Sequence, residues 1–423
     1  MTVQIQKQFE ISISEESTLI AESFGIEDTF INNVLNISLP SLLPLVTLIT
    51  GESGCGKSTL LRELGKTPSE CSLADESLPL HLWGLKYNKT ENDTLHTLCS
   101  CGLSDASLFI LRYNQLSDSQ KYRAKIADCL LSEARELILD EFLATLDRDA
   151  ACAIAFLVQK LVRKKNLPSI FVTSHTDLEP YLMPDLVIKG TAFPSHWTSY
   201  STQYTTPFQD IRFEFADKEF YRQCTLGDLH YKGKYTGGVK EIVVAKYRDK
   251  PVGILLSVYQ KINGEEGRRI SRVVIHPNYR GIGIGSKIVQ SYLCWTKDKY
   301  HTDAVAAMGR YNPFFSFAGM ERLEDSECGG IPALHKELLA CGFDESQQYK
   351  KSYCNAFLSD AKHRELLSKY AKQYSKLVNV GGKKLSDDEV AEKVKNNISI
   401  AVRVLWNLRH RKMAKYLKIK SPA

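Results

Sequence analysis

The chain has 423 residues, of which 43% are hydrophobic and 25% are charged, and its net charge is +6 at neutral pH. This length is too great for one ordinary hydrophobic core, and the composition is typical of a soluble globular protein with two or three domains. The most apolar stretch, residues 35–50, is interrupted by Pro40 and Pro44, which excludes a membrane-spanning helix there.

The amino-terminal residues MTVQIQKQFEISIS alternate as a strand does and lack the apolar core of a secretion signal. The 11 cysteines form no C-x-x-C pair, and the closest two are Cys99 and Cys101. This pattern indicates reduced thiols and argues against a disulfide framework or a zinc knuckle. We therefore expect a cytoplasmic protein with no membrane partner.

Apolar runs alternate with helical stretches up to about residue 190, which predicts a largely parallel sheet of the α/β type. Three runs stand out, at residues 45–50, 136–140 and 169–173. The first leads into GESGCGKS at residues 51–58, which has the form G-x-x-x-x-G-K-[ST] and precedes a helical pattern.

This glycine-rich segment has the features of a phosphate-binding loop. Its glycines let backbone N–H groups surround phosphate oxygens, and the helix that follows adds partial positive charge. Lys57 can reach the β- and γ-phosphates, and the Ser58 hydroxyl can ligate Mg²⁺. We predict an ATP site formed by Gly51, Gly54, Gly56, Lys57, Ser58 and Thr59.

The second apolar run ends in two acids, Asp140 and Glu141. Asp140 would hold Mg²⁺ through water, and Glu141 would polarise the attacking water as a general base. Three further motifs surround these acids in the sequence: LSDSQ at residues 116–120, ATLD at residues 144–147, and His175 after the third run.

The order of these motifs resembles that of ABC-type ATPases over residues 10–190. The resemblance implies that Ser117 contacts the γ-phosphate held by a second protomer and that Asp147 lies in the D-loop. It also implies that His175 is the catalytic switch histidine, and that two copies of the chain form a homodimer through their ATP domains.

The sequence departs from the family pattern in two places. Asp118 and Ser119 replace both glycines of the family signature LSGGQ, and an added carboxylate near phosphates can weaken closure of the ATP sandwich. No glutamine occurs between Leu78 and Asn114, where the Q-loop of the family should lie.

One aromatic residue bears on adenine recognition, and one spacing bears on the cellular role. Phe24, followed by Gly25, is either an adenine-stacking aromatic or a core residue. Ser117 follows Lys57 by only 60 positions, which leaves little room for the helical subdomain that couples transporter ATPases to membrane partners. We therefore expect an ABC ATPase that works on nucleic acid or regulates an attached domain.

Residues 191–209 are rich in Thr, Ser, Pro and Tyr, which predicts an interdomain connection. The pattern beyond them predicts a hairpin, a strand, a helix and a further strand, at residues 241–247, 252–259, 270–275, 286–299 and 303–307.

The strand at 270–275 leads into a loop, residues 280–285, of the form R-x-x-G-x-G. Small residues there let backbone amides at a helix amino terminus bind a pyrophosphate. A dinucleotide site is the alternative, but it requires a βαβ unit, and here an antiparallel hairpin precedes the loop.

This arrangement resembles GNAT-type acyltransferases over residues 208–345. The resemblance implies that acetyl-CoA binds the loop and that a backbone N–H of the preceding strand polarises the thioester carbonyl. The implied cofactor-binding residues are Val274, Ile275, Arg280, Gly281, Ile282, Gly283, Ile284 and Gly285.

Proton transfer requires further residues, because the amine acceptor must lose a proton to attack the thioester. Glu241 and His276 are candidate bases, and the alternative for each is an exposed polar residue at a strand end. The segment NPFFSFAGM at residues 312–320 resembles a later GNAT segment, with Phe315 where many members have a tyrosine acid. Tyr311 either substitutes for that acid or packs in the core.

The pattern after about residue 330 predicts helices at 331–340, 360–378 and 386–417, and Ser386 with Glu389 forms a capping box at the start of the last one.

Positive charge is concentrated at the end of the chain. Residues 361–423 contain 16 Lys and Arg and 5 Asp and Glu, a net charge of +11, so the rest of the chain carries −5. Such a run is either a solvated helix face or a nucleic-acid contact. Several of these basic residues alternate with Trp406, Tyr416 and apolar residues: Arg409, Arg411, Lys412, Lys415, Lys418 and Lys420.

These observations predict an α/β protein with an ABC-type P-loop ATPase domain (1–195), a GNAT-type α/β acyltransferase domain (208–345) and a basic helical extension (346–423). The implied cofactors are ATP, Mg²⁺ and acetyl-CoA. The segment RYNPFFSFAGM at residues 310–320 is also similar to phage Mom-like enzymes, GNAT-related proteins that modify adenine in DNA.

The leading hypothesis for function is an acyl-CoA-dependent transferase that acts on a nucleic acid, for instance by DNA base modification, or on a nucleic-acid-associated substrate. ATP-driven dimerisation would then control access. One alternative is a protein N-acetyltransferase that the ATPase regulates. The other is an ATP-dependent DNA-binding module whose GNAT domain senses coenzyme A without catalysis.

Overall fold

The computed structural model describes residues 2–11, 13–25, 29–69, 77–191, 196–230, 237–323, 326–328, 331–348, 350–374, 385–408 and 411–421. The chain divides into two compact units. Unit 1 comprises Met1–Asp303, Tyr311–Met320 and Lys418–Ala423, and unit 2 comprises Ala304–Arg310 and Glu321–Leu417.

Unit 1 begins with two antiparallel strands, β1 (Thr2–Ile11) and β2 (Thr29–Ser38), with helix α1 (Thr18–Phe24) between them. The alternation that predicted a first strand is thus confirmed. Helix α1 ends at Gly25, whose φ of 63° is left-handed and suits a glycine at a helix carboxyl end.

A five-stranded sheet follows. Its strands are β3 (Val46–Gly51), β4 (Leu137–Leu139), β5 (Ser169–Thr173), β6 (Leu186–Thr191) and β7 (His196–Tyr200). The order is β4-β5-β3-β6-β7, with β7 antiparallel to β6 and the other pairs parallel. Every residue of β3 and β5 is buried, which explains the uninterrupted apolar runs in the sequence.

Five helices accompany this sheet. They are α2 (Lys57–Glu63), α3 (Glu91–Ser100), α4 (Asp118–Leu131), α5 (Arg148–Lys165) and α6 (Glu179–Leu182). Apolar side chains from α2 and all five strands form one core cluster, which includes Ile49, Leu60, Ile138, Val172, Ile188 and Trp197.

Strand β7 differs from the predicted irregular connection at residues 191–209. Trp197 is buried, and its strand pairs along the edge of the sheet with β6. A strand of five residues with one buried position has too little alternation to be distinguished from a loop by its pattern.

The second part of unit 1 is an antiparallel sheet with strand order β11-β10-β9-β8. The strands are β8 (Arg212–Ala216), β9 (Val239–Tyr247), β10 (Lys250–Ile262) and β11 (Glu265–Ile275). The next strand, β12 (His301–Ala306), begins in unit 1 and ends in unit 2. Three helices belong to this part of unit 1: α7 (Lys218–Gln223), α8 (Ile284–Thr296) and α9 (Phe314–Phe317). The predicted hairpin, the strand before the glycine loop and the helix after it are all present.

One irregularity in this sheet lies on the strand that leads into the glycine loop. Leu256 of β10 pairs with Arg272, but the next residue, Ser257, pairs with Ile270. Ser271 is therefore the extra residue of a β-bulge, and its hydroxyl donates to the carbonyl of Leu256 at 3.1 Å.

Unit 2 is mainly helical. Its helices are α10 (Pro332–Ala340), α11 (Lys351–Phe357), α12 (Ala361–Ser368), α13 (Ala371–Tyr374), α14 (Asp387–Asn396) and α15 (Ile398–Asn407). Short strands β13 (Glu321–Arg322) and β14 (Ser326–Cys328) pair antiparallel with β15 (Arg411–Lys418). The Ser386–Glu389 capping box is present.

The predicted helix at residues 386–417 is wrong in its last part. Helix α15 ends at Asn407, and β15 occupies residues 411–418. Tyr416 and Ala414, spaced two apart, are both buried, which is the period of a strand. Arg409 lies outside the described residues.

Candidate functional sites

The predicted phosphate loop connects the end of β3 to the start of α2. Gly51, Gly54 and Gly56 all have positive φ angles, of 142°, 82° and 96°. The Lys57 ammonium lies across this turn and donates to the carbonyls of Gly51 at 2.9 Å and Glu52 at 2.7 Å. The loop therefore closes around a lysine whose ammonium can move to a phosphate oxygen.

Gly51 is required by a close approach between two strands. A Cβ at Gly51 would stand 2.0 Å from the carbonyl oxygen of Gly190 in β6. By contrast, a Cβ at Gly54 would meet no atom within 4 Å. Gly51 therefore serves the packing of the sheet, whereas the space beside Gly54 is open to a ligand.

The predicted Mg²⁺ ligands lie side by side. Ser58 Oγ donates to Asp140 Oδ2 at 3.0 Å, although the two residues are 82 positions apart in the sequence. A serine hydroxyl beside a carboxylate is the oxygen donor set that Mg²⁺ takes together with phosphates and water. The residues present thus fit an ATP–Mg²⁺ site.

Glu141 follows the acid in a constrained conformation. Its φ of 50° is left-handed, and its backbone N–H donates to Asp140 Oδ1 at 2.9 Å. The Glu141 side chain is exposed. The strained turn after β4 separates the two carboxylates, leaving Asp140 beside Ser58 and Glu141 exposed to water.

The remaining ABC-type residues lie at helix starts and strand ends. Ser117 is the N-cap of α4, and its N–H donates to Gln120 at 3.0 Å, so the glutamine of LSDSQ caps the helix. Asp147 is the N-cap of α5 and accepts from the N–H of Ala150 at 2.9 Å. His175 follows β5 and is half-buried.

Phe24 is 78% exposed at the end of α1. This removes the core-residue alternative and leaves the ring free to stack on a planar ligand.

The predicted acyl-CoA loop connects β11 to α8. Gly281 and Gly283 have φ angles of 87° and 102°, and Gly283 is the N-cap of α8. A Cβ at Gly285, in the first turn, would lie 3.7 Å from Phe314 of α9. Val274 is buried, and Ile275 precedes the loop at the end of β11. These glycines leave backbone N–H groups accessible at a helix amino terminus, which fits a pyrophosphate.

Arg280 was predicted as a cofactor-binding residue, but its side chain is engaged elsewhere. Its guanidinium donates to the carbonyl of Ile275 at 3.1 Å and faces Asp105 at 3.5 Å. Asp105 lies between α3 and α4 of the ATPase part. The Arg280 side chain is therefore held by protein groups.

Arg123 of α4 holds the same loop from the ATPase side and was not predicted from the sequence. Its side chain is 2% exposed and donates to the carbonyls of Asn278 at 2.8 Å, Arg280 at 3.0 Å and Cys101 at 3.1 Å. Burial, with a smaller contribution from nearby Arg280, lowers the pKa of Arg123 to about 10. A buried guanidinium that relies on backbone carbonyls is a costly arrangement, which marks this interdomain contact as specific.

Helix α5 also packs on the loop. A Cβ at Gly281 would stand 2.9 Å from a methyl group of Leu157. Near the start of α5, Asp149 hydrogen-bonds the Tyr279 phenol and faces Lys250 at 3.6 Å. Burial raises the pKa of Tyr279 above its usual value, and the Asp149 charge adds to this effect. The amino-terminal side of the acyl-CoA loop thus contacts the ATPase helices.

His276, one candidate base, is half-buried beside these contacts. Burial and the charge of Arg280 lower the pKa of His276 below its usual 6.5. Its Nδ1 accepts from the N–H of Asn278 at 3.3 Å. The ring is therefore neutral at physiological pH, with the Nδ1 lone pair engaged.

Glu241, the other candidate base, lies in an ion-pair network. Its carboxylate accepts from Arg268 at 2.8 Å, from the hydroxyl of Ser257, and from Tyr292 at 3.2 Å. Arg268 is almost fully buried, whereas the Glu241 side chain keeps 22% exposure. The Glu241 side chain is therefore partly open to solvent although its carboxylate is held by three partners.

Tyr311 lies against the ATPase part, with its ring 6.0 Å from that of His96 of α3 in an edge-on arrangement. Phe315, four residues later, is buried. Of the two positions, Tyr311 is the one with a hydroxyl that can transfer a proton.

Known proteins match the two parts of the chain separately. The acetyltransferase (GNAT) family model matches residues 196–311. The lipoprotein-releasing system ATP-binding protein LolD of Ehrlichia ruminantium (strain Gardel) is 25% identical over 210 residues, 40% of this chain and 90% of that protein. The sn-glycerol-3-phosphate import ATP-binding protein UgpC of Bartonella bacilliformis is 28% identical over 200 residues, 39% of this chain and 57% of that protein.

Two solved structures resemble parts of the chain. A bacterial ABC transporter cassette solved as a dimer has a TM-score of 0.34 at 16% identity, covering 48% of this chain and 100% of that one. An Arabidopsis thaliana protein solved with a CoA-containing bisubstrate analogue has a TM-score of 0.24 at 18% identity, covering 27% of this chain and 86% of that one.

The chain therefore contains an ABC-type ATPase domain and a GNAT-type acetyltransferase domain, with ATP, Mg²⁺ and acetyl-CoA as cofactors. The predictions of the fold class, of an enzyme with these two activities and of the cofactors are confirmed. Within the described ranges, no helix combines the length and apolar character needed to cross a bilayer.

Proposed function

We propose that the protein is an acyl-CoA-dependent N-acyltransferase that acts on nucleic acid and is controlled by ATP-driven dimerisation. The observation that carries the proposal is the packing of the ATPase helices α4 and α5 on the acyl-CoA loop, through Arg123 and Leu157. Helix α4 begins after Ser117 and α5 after Asp147. These two residues would meet the nucleotide and D-loop of a second protomer, so closure of the dimer would act on helices that hold the loop.

The geometry supports the roles that we propose for four residues in ATP hydrolysis. Lys57 would leave its two carbonyl acceptors to bind the phosphates, and Ser58 with Asp140 would hold Mg²⁺. Glu141, exposed beside them, orients and deprotonates the attacking water. His175, after the neighbouring strand, stabilises the phosphate that is transferred.

Acyl transfer would use the second site. The nitrogen of the acceptor forms a bond to the thioester carbon, and the carbon–sulfur bond breaks. Glu241 would take the amine proton through water, which the 22% exposure of its side chain supports. Tyr311 gives a proton to the departing thiolate. The N–H of Val274 or Ile275, at the end of β11, polarises the carbonyl.

The nucleic-acid acceptor is supported by the charge of the carboxyl-terminal residues. Residues 361–423 carry a net charge of +11, and four lysines on or next to α12, α13 and α14 are exposed: Lys362, Lys369, Lys372 and Lys393. Exposed lysines on a surface of net positive charge bind phosphate backbones. The similarity of residues 310–320 to Mom-like enzymes agrees with this acceptor. The nine cysteines that the structure names as free, of 11 in the chain, agree with a reducing compartment such as the cytoplasm.

The test is incubation with labelled acetyl-CoA and a mixture of DNA, RNA and protein, with and without ATP. We expect label in DNA or RNA, in larger amount when ATP is present. Label found in protein alone would contradict the nucleic-acid acceptor and favour protein acetylation. If no acceptor carries label, the result would contradict transferase activity and favour a GNAT domain that only senses coenzyme A.

Two variants separate the sites. Gly283→Glu fills the acyl-CoA loop and should abolish labelling while ATP hydrolysis continues. Glu141→Gln should keep ATP binding and lose hydrolysis by a factor of about 100 or more. Undiminished turnover in Glu141→Gln would remove the assignment of the base.

A further inference from the structure

A lysine of the ATPase domain lies directly over the acyl-CoA loop. Lys160 belongs to α5, and its Nζ is 3.9 Å from the position that a Cβ would take on Gly283, the N-cap of α8. Leu157, one turn earlier on α5, packs on Gly281. Helix α5 thus runs along the loop, with an apolar contact at one glycine and a cation at the other.

The charges around this point favour an anion. The Lys160 ammonium lies over the ring of Phe156, with Nζ 5.4 Å from the ring centre. Lys287, in the first turn of α8, is the second cation, and both lysines are exposed. Partial burial, with the charge of Lys287, lowers the pKa of Lys160 below its usual value. Across the described part of the chain, neither lysine forms an ion pair with a carboxylate.

Two such ammonium groups beside backbone N–H groups at a helix amino terminus form a local excess of positive charge. Such an excess is relieved by a ligand that carries several negative charges. Coenzyme A carries its phosphates at one end and its thiol at the other. The two lysines and the amino terminus of α8 suit the phosphates, and the apolar sheet suits the thiol end. Arg280, the arginine of the loop motif, is already engaged with Asp105 and supplies no charge here.

We propose that Lys160, with Lys287, binds the phosphates of acyl-CoA, so that the cofactor site is composed of residues from both domains. This inference rests on the proposed acyltransferase function and deepens it. Helix α5 begins directly after the D-loop residue Asp147. A cofactor that bridges α5 and α8 would therefore change the position of α5 when it binds to the acyltransferase site. Acyl-CoA would therefore strengthen the contact between the two domains.

The experiment measures the affinity of the full chain for coenzyme A by calorimetry. Lys160→Gln should weaken binding by about tenfold, the loss of one charge-assisted hydrogen bond. Lys160→Arg should restore most of the affinity. The matched control is Lys189→Gln, which removes an equally exposed positive charge from β6 of the same domain. The affinity for ATP should be the same in all of these variants.

The outcomes distinguish this inference from the proposed function. If Gly283→Glu abolishes binding of coenzyme A while Lys160→Gln leaves it unchanged, the composite site is wrong and the acyltransferase site stands. If Gly283→Glu also binds normally, the acyl-CoA loop itself is misassigned. Tighter binding by Lys160→Gln would show that the lysine competes with the cofactor. Loss of the Lys160→Gln effect when 3′-dephospho-coenzyme A replaces coenzyme A would assign the lysine to the 3′-phosphate; persistence would assign it to the pyrophosphate.

Discussion

At the scale of single residues, Phe24 shows how exposure separates two interpretations that the sequence left open. An aromatic ring with 78% of its surface exposed contributes little to folding and costs little to remove. We expect this exposed ring to stack on the adenine of ATP. Leu19 of the same helix has the same exposed fraction, 78%, and provides an apolar residue for comparison.

We expect Phe24→Ala to weaken ATP binding by about fivefold to tenfold, the effect of removing one aromatic stacking interaction. Leu19→Ala should bind ATP normally. Titration of both variants with a fluorescent ATP analogue measures the difference. Equal affinities for Phe24→Ala and the unmodified chain would remove Phe24 from the site.

His276 gives a prediction that needs no acceptor substrate. Its pKa in the folded chain lies below 6.5, so the unfolded chain takes up a proton first as the pH falls. The folded state therefore loses stability as the pH falls through about 6.5 and below. His276→Asn keeps an acceptor for the Asn278 N–H and should lose less stability between about pH 7.5 and pH 5.5. Thermal unfolding of the unmodified chain and of His276→Asn across this pH range measures the difference. Unfolding temperatures that fall in parallel with pH would contradict the prediction.

At the scale of elements, the phosphate loop is fixed by a packing requirement as much as by its ligand. The Cβ of an alanine at position 51 would stand 2.0 Å from the Gly190 carbonyl oxygen, so β3 and β6 would have to separate. The same change at Gly54 meets no atom within 4 Å and strains only the backbone.

Gly51→Ala should therefore lower the free energy of unfolding by about 3 kcal/mol or more, the upper range for overpacked positions. Gly54→Ala should cost about 1 kcal/mol, since only its φ is unfavourable. Urea denaturation followed by circular dichroism measures both. A larger loss for Gly54→Ala would contradict the packing argument.

The sequence predicted the elements that carry a motif or a long apolar run. Strands β3, β5 and β11 and helix α8 lie where the pattern placed them, because burial on both faces or a glycine loop leaves a local signal. Strands β7 and β15 were missed, because neither carries a motif or a long alternating pattern of its own. The hydrogen bonds of Arg123 were missed because its two loop acceptors lie more than 150 positions away.

At the scale of the whole molecule, the described basic residues of helices α12 to α15 belong to a folded unit. Val390, Val394, Val404 and Leu405 form the core of unit 2 together with residues of earlier helices. Removal of the residues from Val390 onwards would therefore expose that core. The charge of this region has to be tested by substitutions at its surface.

Replacing Lys369, Lys372 and Lys393 by glutamine should weaken DNA binding and lower the slope of log affinity against log salt by up to about 3, one for each phosphate that is no longer neutralised. The control removes three exposed lysines of unit 1: Lys164, Lys189 and Lys218. Fluorescence anisotropy with a labelled duplex at several salt concentrations measures both. An equal slope in the two triple variants would favour the solvated-face interpretation.

The buried guanidinium of Arg123 also has a consequence for biosynthesis. Its acceptor on Arg280 lies 157 positions further along the chain, so a ribosome completes the ATPase sequence long before that carbonyl exists. Until then, of the three carbonyl groups that accept from Arg123 in the structure, only that of Cys101 has been synthesised. Two of the three hydrogen bonds that hold Arg123 can therefore form only after the loop of the second domain has been synthesised.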